Sequence, residues 1–599
     1  MWAELPQATP NWIFPFASLT YFSVANLTQF QELMYRPLYF FGQITSSAPT
    51  VNYAQGPAEA PKWSNGGKTV TVKMKGWKWS NGETVNAQDV VFWQNMMKAE
   101  FANWAGYAPG PGNYPQNIKS YTANMSADTV TFNLNGTYNP KWYLYNELSQ
   151  ITPLPLAWDI TSPGAKAGSG GCSSLHPTAT TMSDCKKVWS FLTDDGGKAK
   201  SPKMAASLAT YATNPAWQVV DGPWHLVEFK TDGTAGFKPN SKYSGPQHPF
   251  LSEFIEVPYT SDTSEYSALS SSPGTTGNLD VGYAPSQDLP TNTGPVGSTG
   301  ANAALMKGKY NLFPVYDWGI NYFPWNFNST TDVGGGTKAG YLFRQLYIRQ
   351  AMQMLVDQPA IIKNVDKGYG VPTYGPVPVY PTNPFASSTE KNNPYPFNLS
   401  KAKSLLTSHG WTVNPGGVSV CNSSSKCGTG IHPGAKLQFN ELYAGGTTAI
   451  DDTVTAEVSD WSKIGIKVSL HSTTFDNVLT TAIPCSFTSS SCSWELGNWG
   501  GGWVFAPDYL PTGEEIFATG AGSNSGSYND ATNNKYIHLT NVSTNQKYFT
   551  KYEDYLAKQL PVVWQPNPAS VTAEVSVHIG GVTPVNALLN LTPEYWYFK

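Results

Sequence analysis

The chain has 599 residues, more than one compact core accommodates, so two or three lobes are expected. Hydrophobic residues make up 40% and aromatic residues 14%, enough for a folded core with rings left over to line a cleft. Charged residues are only 13%, about half the ~25% of an average globular protein, and a net charge of −4 gives no reason to expect nucleic acid or an anionic membrane as partner.

In chain order, Asn26 to Leu38 reads as a helix that ends near Tyr35-Arg-Pro-Leu38. Pro61 to Glu100 is the most informative stretch. Two Trp-Ser-Asn-Gly segments, Trp63–Gly66 and Trp79–Gly82, bracket a run in which Val70, Val72 and Met74 alternate with Thr69, Thr71 and Lys73. That alternation predicts a half-buried strand, and the Asn-Gly pairs predict turns because both residues tolerate positive φ. Asn86 then precedes an apolar-periodic run through Val90, Val91, Trp93, Met96 and Met97. Asn86 is suited to cap that helix, and Asp89 suits its positive end.

This stretch resembles the signature of the family 5 extracellular solute-binding proteins of ABC importers, the oligopeptide- and dipeptide-binding group of cluster C. Their pattern is roughly W-x-x-x-D-G-K-x-x-T-x-x-L-R-x-x-x-x-W-S-D-G-x-x-x-x-A-x-D-V. Trp63, Gly67, Lys68, Thr71, Trp79, Ser80, Gly82, Ala87, Asp89 and Val90 fit it, with Asn in place of Asp in both turns. Further matches follow along the chain. Val219 to Leu226 is similar to the family's "G-T-G-P-Y-x-L" step, Phe237 to Tyr243 to its "L-x-x-N-P-x-Y", and Asn278 to Val281 to its "G-E-L-D". Phe343 to Asp357 resembles its "V-R-Q-A-x-x-x-x-I-D" helix, followed by Gly368-Tyr-Gly370 and Gly375 to Pro378. Ser400 to His409, stopped by Gly410, resembles its "A-K-x-L-L-x-x-x-G-W" helix, with Trp411 in place.

The resemblance implies an α/β, two-lobed periplasmic-binding-protein-like fold (type II) with two hinge crossings and an extra inserted α/β subdomain. On that reading residues 1–48 begin lobe I, 49–155 form the inserted subdomain, 156–326 continue lobe I, 327–560 form lobe II and 561–599 return to lobe I. The crossings fall near Phe323–Phe327 and Pro561–Gln565. Ser162 to Cys185 and Ser271 to Gly300 are rich in small and turn residues and are expected to be loops.

Six cysteines fall in three close pairs, Cys172/Cys185, Cys421/Cys427 and Cys485/Cys492, each in a Ser/Gly-rich, loop-like region, and none has Cys-x-x-Cys spacing. Other connectivities exist, but proximity favours three local disulfides and hence an oxidising, extracytoplasmic compartment. No run of about 18 apolar residues is present, so no transmembrane helix is expected. The opening MWAELPQATPNW lacks a signal-peptide pattern, and the expectation is a mature domain whose export segment, with any lipid anchor or tether, has been removed. Arginine is nearly absent: Arg36 stands alone in the first half, and Arg344 and Arg349 are read as helix-surface ion-pair partners. A surface of Ser, Thr, Asn, Gly and Tyr points to an external, acidic habitat, or to drift in composition.

Ligand contacts are carried over from the resemblance. Trp494 to Tyr509 resembles the family's cleft segment "W-x-x-D-Y-x-D-P", which makes Trp499 and Trp503 candidates for the cleft wall. Gly500 to Gly502 stand where the peptide binders carry the Asp that pairs with a ligand's ammonium, and Asp508 fits the later, structural Asp. Tyr322, Trp325 and Asn326 on one crossing and Trp564 on the other are expected at the back of the cleft, with Tyr21 and Phe22 near its N-terminal edge. The alternative for all these rings is ordinary core packing. The implied function is an ABC-importer receptor, a monomer with no cofactor and no metal, delivering an oligopeptide to a membrane permease. An oligosaccharide is the alternative ligand, favoured by the tryptophans and the low charge.

An enzyme is not expected. The chain holds no His-Glu-x-x-His, Gly-x-Ser-x-Gly, Walker A or Gly-x-Gly-x-x-Gly motif. The strongest enzymatic rival, a glycoside hydrolase, needs two facing carboxylates, for which Glu495, Asp508, Glu514 and Glu515 are the nearest candidates.

Overall fold

Alternation in the Thr69–Lys73 strand does what the pattern predicts. Val70, Val72 and Met74 are buried, and Lys73 is exposed. The strand pairs antiparallel with Thr129–Leu134, setting Val70 against Phe132 and Val72 against Val130, in a four-stranded sheet ordered Lys62–Ser64, Thr69–Lys73, Thr129–Leu134, Ile118–Asn124. Asn65 and Gly66 take φ of 51° and 63°, the left-handed turn that their side chains permit. Helix Ala87–Glu100 starts in a capping box: Asn86 Oδ1 accepts from Gln88 N, and Asp89 Oδ2 accepts from Asn86 N at 3.0 Å. The same Asp89 oxygen accepts the indole N–H of Trp79 at 3.0 Å. Burial pushes the Asp89 carboxyl up to about 8, so hydrogen bonding rather than charge makes this cap.

The computed structural model describes residues 1–599 except 7, 19–20, 43–48, 111, 194–204, 206, 272–277, 491 and 583–585. The fold is mixed α/β. Its largest sheet has seven strands, ordered Tyr310–Val315, Val571–Ser576, Val281–Tyr283, Trp2–Ala3, Phe254–Val257, Ala235–Pro239, Trp224–Phe229. The two ends of the chain therefore meet in one sheet. They are also joined by a buried ion pair, in which Arg36 Nη2 meets Glu594 Oε1 at 2.5 Å. A second sheet is parallel and three-stranded, with Gln438–Ala444 between Lys467–Thr473 and Leu496–Asn498. Strand Tyr322–Pro324 pairs antiparallel with Val562–Trp564, so the two expected crossings run side by side, Tyr322 opposite Trp564.

Several local expectations are corrected. Residues 271–300 are not all loop: Val281–Tyr283 is a buried strand inside the large sheet, too short to show alternation in sequence. Positions 272–277 of that stretch lie outside the described residues. The helix expected over 343–357 is broken. Ala339–Phe343 and Leu346–Gln353 are separate helices, because Gln345 is extended at φ −80°, ψ 111°. The arginines there are not helix-surface ion-pair partners. Arg349 is buried and donates to the carbonyls of Phe343 and Gln559, and Arg344 donates to Phe327 O and Asn328 Oδ1.

The cysteines pair within bonding distance as expected, Cys172 with Cys185, Cys421 with Cys427 and Cys485 with Cys492. Their loop-like setting is corrected for three of the six. Cys185 lies within helix Ala179–Thr193, where it is buried with Val188, Trp189 and Leu192 on one helical face, so the loop expected up to 185 ends before that helix. Cys427 is the last residue of the short helix Ser424–Cys427, and Cys421 belongs to the strand Val420–Cys421. Cys427 is also fully buried rather than at a loop surface, with its carbonyl accepting from Tyr347 Oη at 2.6 Å. A stretch of Ser, Lys and Gly gives no apolar period to reveal this. The bridge itself draws the residue inward, because a disulfide has no strong hydrogen-bonding demand and packs as apolar surface.

Candidate functional site

A cavity of about 410 Å3 opens beside the paired crossings, within the roughly 300–1,000 Å3 usual for small-molecule sites. Its lining comes from chain segments far apart in sequence, among them residues 22–25, 283–287, 444–450, 499–504 and 567–570.

Trp499 and Trp503 form one wall. Each is packed as well as lining, at 9% and 7% exposure, so both rings are core residues with an edge on the cavity. Their N–H groups are used internally. Trp499 Nε1 donates to Gly502 O at 2.7 Å, and Trp503 Nε1 donates to the Asp508 carboxylate. The indoles therefore offer the cavity apolar surface and no donor. Phe22 also lines the cavity and stacks on Trp503 with centroids 5.2 Å apart, and Tyr322 lines it edge-on to Trp499 at 5.7 Å. Gly502 holds φ +59°, and a Cβ there would lie 2.0 Å from the Ile320 carbonyl oxygen; a Cβ on Gly501 would meet open space.

The other four expected contacts stand outside the lining. Tyr21 stacks flat on Trp12 at 4.9 Å. Trp325 is fully buried, donates to Leu560 O and packs on Phe343. Asn326 donates to Trp494 O at 2.8 Å and lies 3.5 Å from both sulfurs of Cys485–Cys492. Trp564 is 1% exposed, behind Tyr322 and Phe517. Trp325, Asn326 and Trp564 face the interior because the chain at the crossings is buried on both sides, where alternation cannot distinguish a cleft face from a core face. None of Cys172, Cys185, Cys421, Cys427, Cys485 and Cys492 lines the cavity, although Pro484 beside Cys485 does.

The carboxylates considered for glycoside hydrolysis are outside the lining as well. Glu495 accepts from Asn440. Glu514 accepts from Trp142 and Asn146, and Glu515 from Gln150. Burial and the neighbouring Glu515 and Glu514 push the Asp508 carboxyl well above the usual range. Asp508, Glu514 and Glu515 form a packed interior cluster, and Glu495 is held separately by Asn440.

Residues with no motif to announce them complete the site. Gln29 lines the cavity at 2% exposure, and its amide nitrogen has no hydrogen-bond partner. Thr447 Oγ1 is likewise buried and unpartnered. Asp262, Glu265, Asp317 and Asp366 also line it, whereas no Lys, Arg or His among the described residues does. Gly368-Tyr-Gly370 is the one sequence signal adjacent to any of the four.

Among known proteins, the model of the bacterial extracellular solute-binding proteins, family 5, matches residues 52–513. A "Probable ABC transporter-binding protein" of Deinococcus radiodurans is 25% identical over 500 residues, covering 80% of this chain and 72% of that protein. Protein XP55 of Streptomyces lividans is 28% identical over 138 residues, 23% of this chain and only 22% of its own length. The oligopeptide-binding protein AppA of Bacillus subtilis, solved with a nonapeptide, superposes with a TM-score of 0.71 at 17% identity, covering 100% of this chain and 98% of AppA. NikZ of Campylobacter jejuni, solved with Ni(L-His), gives 0.65 at 15% identity, covering 99% and 100%. At such identities the structural likeness shows the fold.

Proposed function

This chain belongs to the bacterial extracellular solute-binding proteins of family 5, and from that premise we propose that it is an extracytoplasmic receptor that holds an oligopeptide in the cavity beside the paired crossings and presents it to an ABC permease. One observation carries the choice of a peptide: a solved protein of the same fold, the oligopeptide-binding protein AppA of Bacillus subtilis, is in complex with a nonapeptide. The tryptophan walls of the cavity offer a ligand apolar surface and no N–H, which suits side chains of varied sequence. The oligosaccharide reading needs an open indole face, and Phe22 covers one face of Trp503.

The lobes are divided as the resemblance implies, at residues 48, 155, 326 and 560, with Tyr322–Pro324 and Val562–Trp564 as the hinge. Rotation at a few residues there closes the lobes on the ligand, and the closed state is what a permease distinguishes. The protein works as a monomer outside the cytoplasm.

Thermal melting against panels of oligopeptides and oligosaccharides tests this. A ligand at a hundredfold its Kd adds about 2.7 kcal/mol to stability. Stabilisation by peptides, recovered unchanged by mass spectrometry, supports the reading. Stabilisation by oligosaccharides alone, or cleavage of the added compound, overturns it.

A further inference from the structure

Hydrogen bonds join the two main sheets across the wall of the cavity. Helix Asp262–Ser271 follows strand Phe254–Val257 of the seven-stranded sheet, and helix Thr448–Ser462 follows strand Gln438–Ala444 of the three-stranded sheet. Asp262 Oδ2 accepts from Thr448 N at 3.2 Å and from Gln287 Nε2 at 3.3 Å. The same Gln287 amide donates to Thr448 Oγ1 at 3.2 Å. Asp262 and Gln287 line the cavity, as do Thr447 and Ala449 on either side of Thr448.

Thr447 stands where a helix takes its cap, yet it makes no side-chain capping bond. The first amide of that helix is served instead by Asp262, from the other sheet. A carboxylate also suits the positive end of a 15-residue helix. A second tie joins the same two sheets. Asn11, which follows strand Trp2–Ala3, donates its side-chain N–H to Asp476 Oδ2 at 3.0 Å. Asp476 belongs to helix Phe475–Thr481, which follows strand Lys467–Thr473 and presents Phe475 and Leu479 to the cavity. Asn26 fixes Asn11 by exchanging two hydrogen bonds with it, each of 2.8 Å.

We propose that Asp262 is a clasp: through Thr448 it holds the two sheets together across the cavity and so sets how readily a ligand enters and leaves. The inference rests on the reading of the cavity as the ligand site and names what controls access to it. Gln287 is the second strand of the clasp, and Asn11–Asp476 is a separate fastening on the neighbouring helix. Asp262 and Thr448 are both half-buried. Bonds at such positions are strong enough to bias rotation at the hinge and weak enough to release. The ligand-free chain is then held mostly shut, and a ligand that enters only the open form binds more weakly in proportion to the population of that form.

The test needs no ligand, so its failure is distinct from a failure of the peptide reading. Hydrogen–deuterium exchange and small-angle X-ray scattering are compared between the ligand-free full chain and its variants. Asp262→Ala is expected to raise exchange about tenfold, the worth of one hydrogen bond, at both 444–450 and 475–483. The radius of gyration is expected to increase with it. Asp262→Asn, which keeps an acceptor, is expected to restore most of the protection. Gln287→Ala, a change at an exposed position, is expected to give a smaller rise at both segments, and it carries the test if Asp262→Ala does not fold. Faster exchange confined to 447–450, with 475–483 and the radius of gyration unchanged, means that Asp262 only caps its helix and overturns the inference. So does unchanged exchange in both alanine variants, or an Asp262→Asn chain as loose as Asp262→Ala.

Discussion

Trp503 donates its indole N–H to both carboxylate oxygens of Asp508, at 3.2 and 3.0 Å, five residues further along the chain. This bond fixes the angle at which the ring meets the cavity. It also occupies the acid that otherwise comes nearest to a ligand anchor in the tryptophan wall. Trp503→Ala is thus a poor probe of binding, because deleting so buried a ring costs ~3–5 kcal/mol of stability. Trp503→Phe keeps the apolar wall, strands Asp508, and is expected to cost ~1–3 kcal/mol in urea melts. Asp508→Asn keeps an acceptor for the indole and removes a carboxyl from beside Glu514 and Glu515, so it is expected to be neutral or stabilising. A double-mutant cycle without measurable coupling would show that the bond holds nothing in place.

The three glycines after Trp499 differ in what they tolerate. Gly502→Ala forces a side chain into the left-handed region and onto the Ile320 carbonyl, and is expected to lose at least ~2 kcal/mol. Gly501→Ala, with open space around its Cβ, is expected to leave the Tm unchanged. Equal losses at both positions contradict the backbone geometry described for this loop.

Stability is expected to fall as pH rises. Glu4 and Glu256 lie beside each other in the interior, and burial pushes Glu4 up to about 8. Glu390 and Glu553 form a second buried pair, with Glu553 also pushed up to about 8 by burial. The folded chain holds the Glu4 and Glu553 protons until about pH 8, whereas the unfolded chain releases them near ~4.5. Folding therefore takes up protons between those values. The stabilisation is complete below about 4.5 and is lost as pH rises through about 8, at up to ~1.4 kcal/mol per pH unit for each proton. Thermal melts from pH 4 to 9 check the slope, and Glu4→Gln together with Glu390→Gln should flatten it. A Tm that climbs toward neutral pH would refute the assignment.

The cap of helix Ala87–Glu100 makes a graded prediction. Asn86→Ala removes one acceptor and should cost ~1 kcal/mol. Asp89→Ala removes the acceptor shared by Asn86 N and the buried Trp79 indole, and should cost about twice that or more. Equal costs in urea melts would mean that the Trp79 contact contributes nothing.

The signature stretch was legible because its physics is local. Trp79 and Asp89 are ten residues apart, the strand shows its two-residue period, and Asn86 sits at the helix start, so residue types at fixed offsets specify the unit. The cysteine pairing was legible for the same reason, as was the family, although the burial of Cys427 at a helix end was not. Of the cavity lining, the resemblance named Phe22, Tyr322, Trp499 and Trp503, but not the other segments that meet them. Gln29, Tyr322, Asp366 and Trp503 meet only after strands hundreds of residues apart have paired, and no spacing in the chain encodes that meeting. On crossing strands buried on both faces, Tyr322 turns to the cavity while Trp325 and Trp564 turn to the interior, although all three are aromatic. Sequence alone determined which elements form and which family they compose. Tertiary structure decided which of these side chains line the cavity and which are packed into the core, because that depends on neighbours brought together by the whole fold.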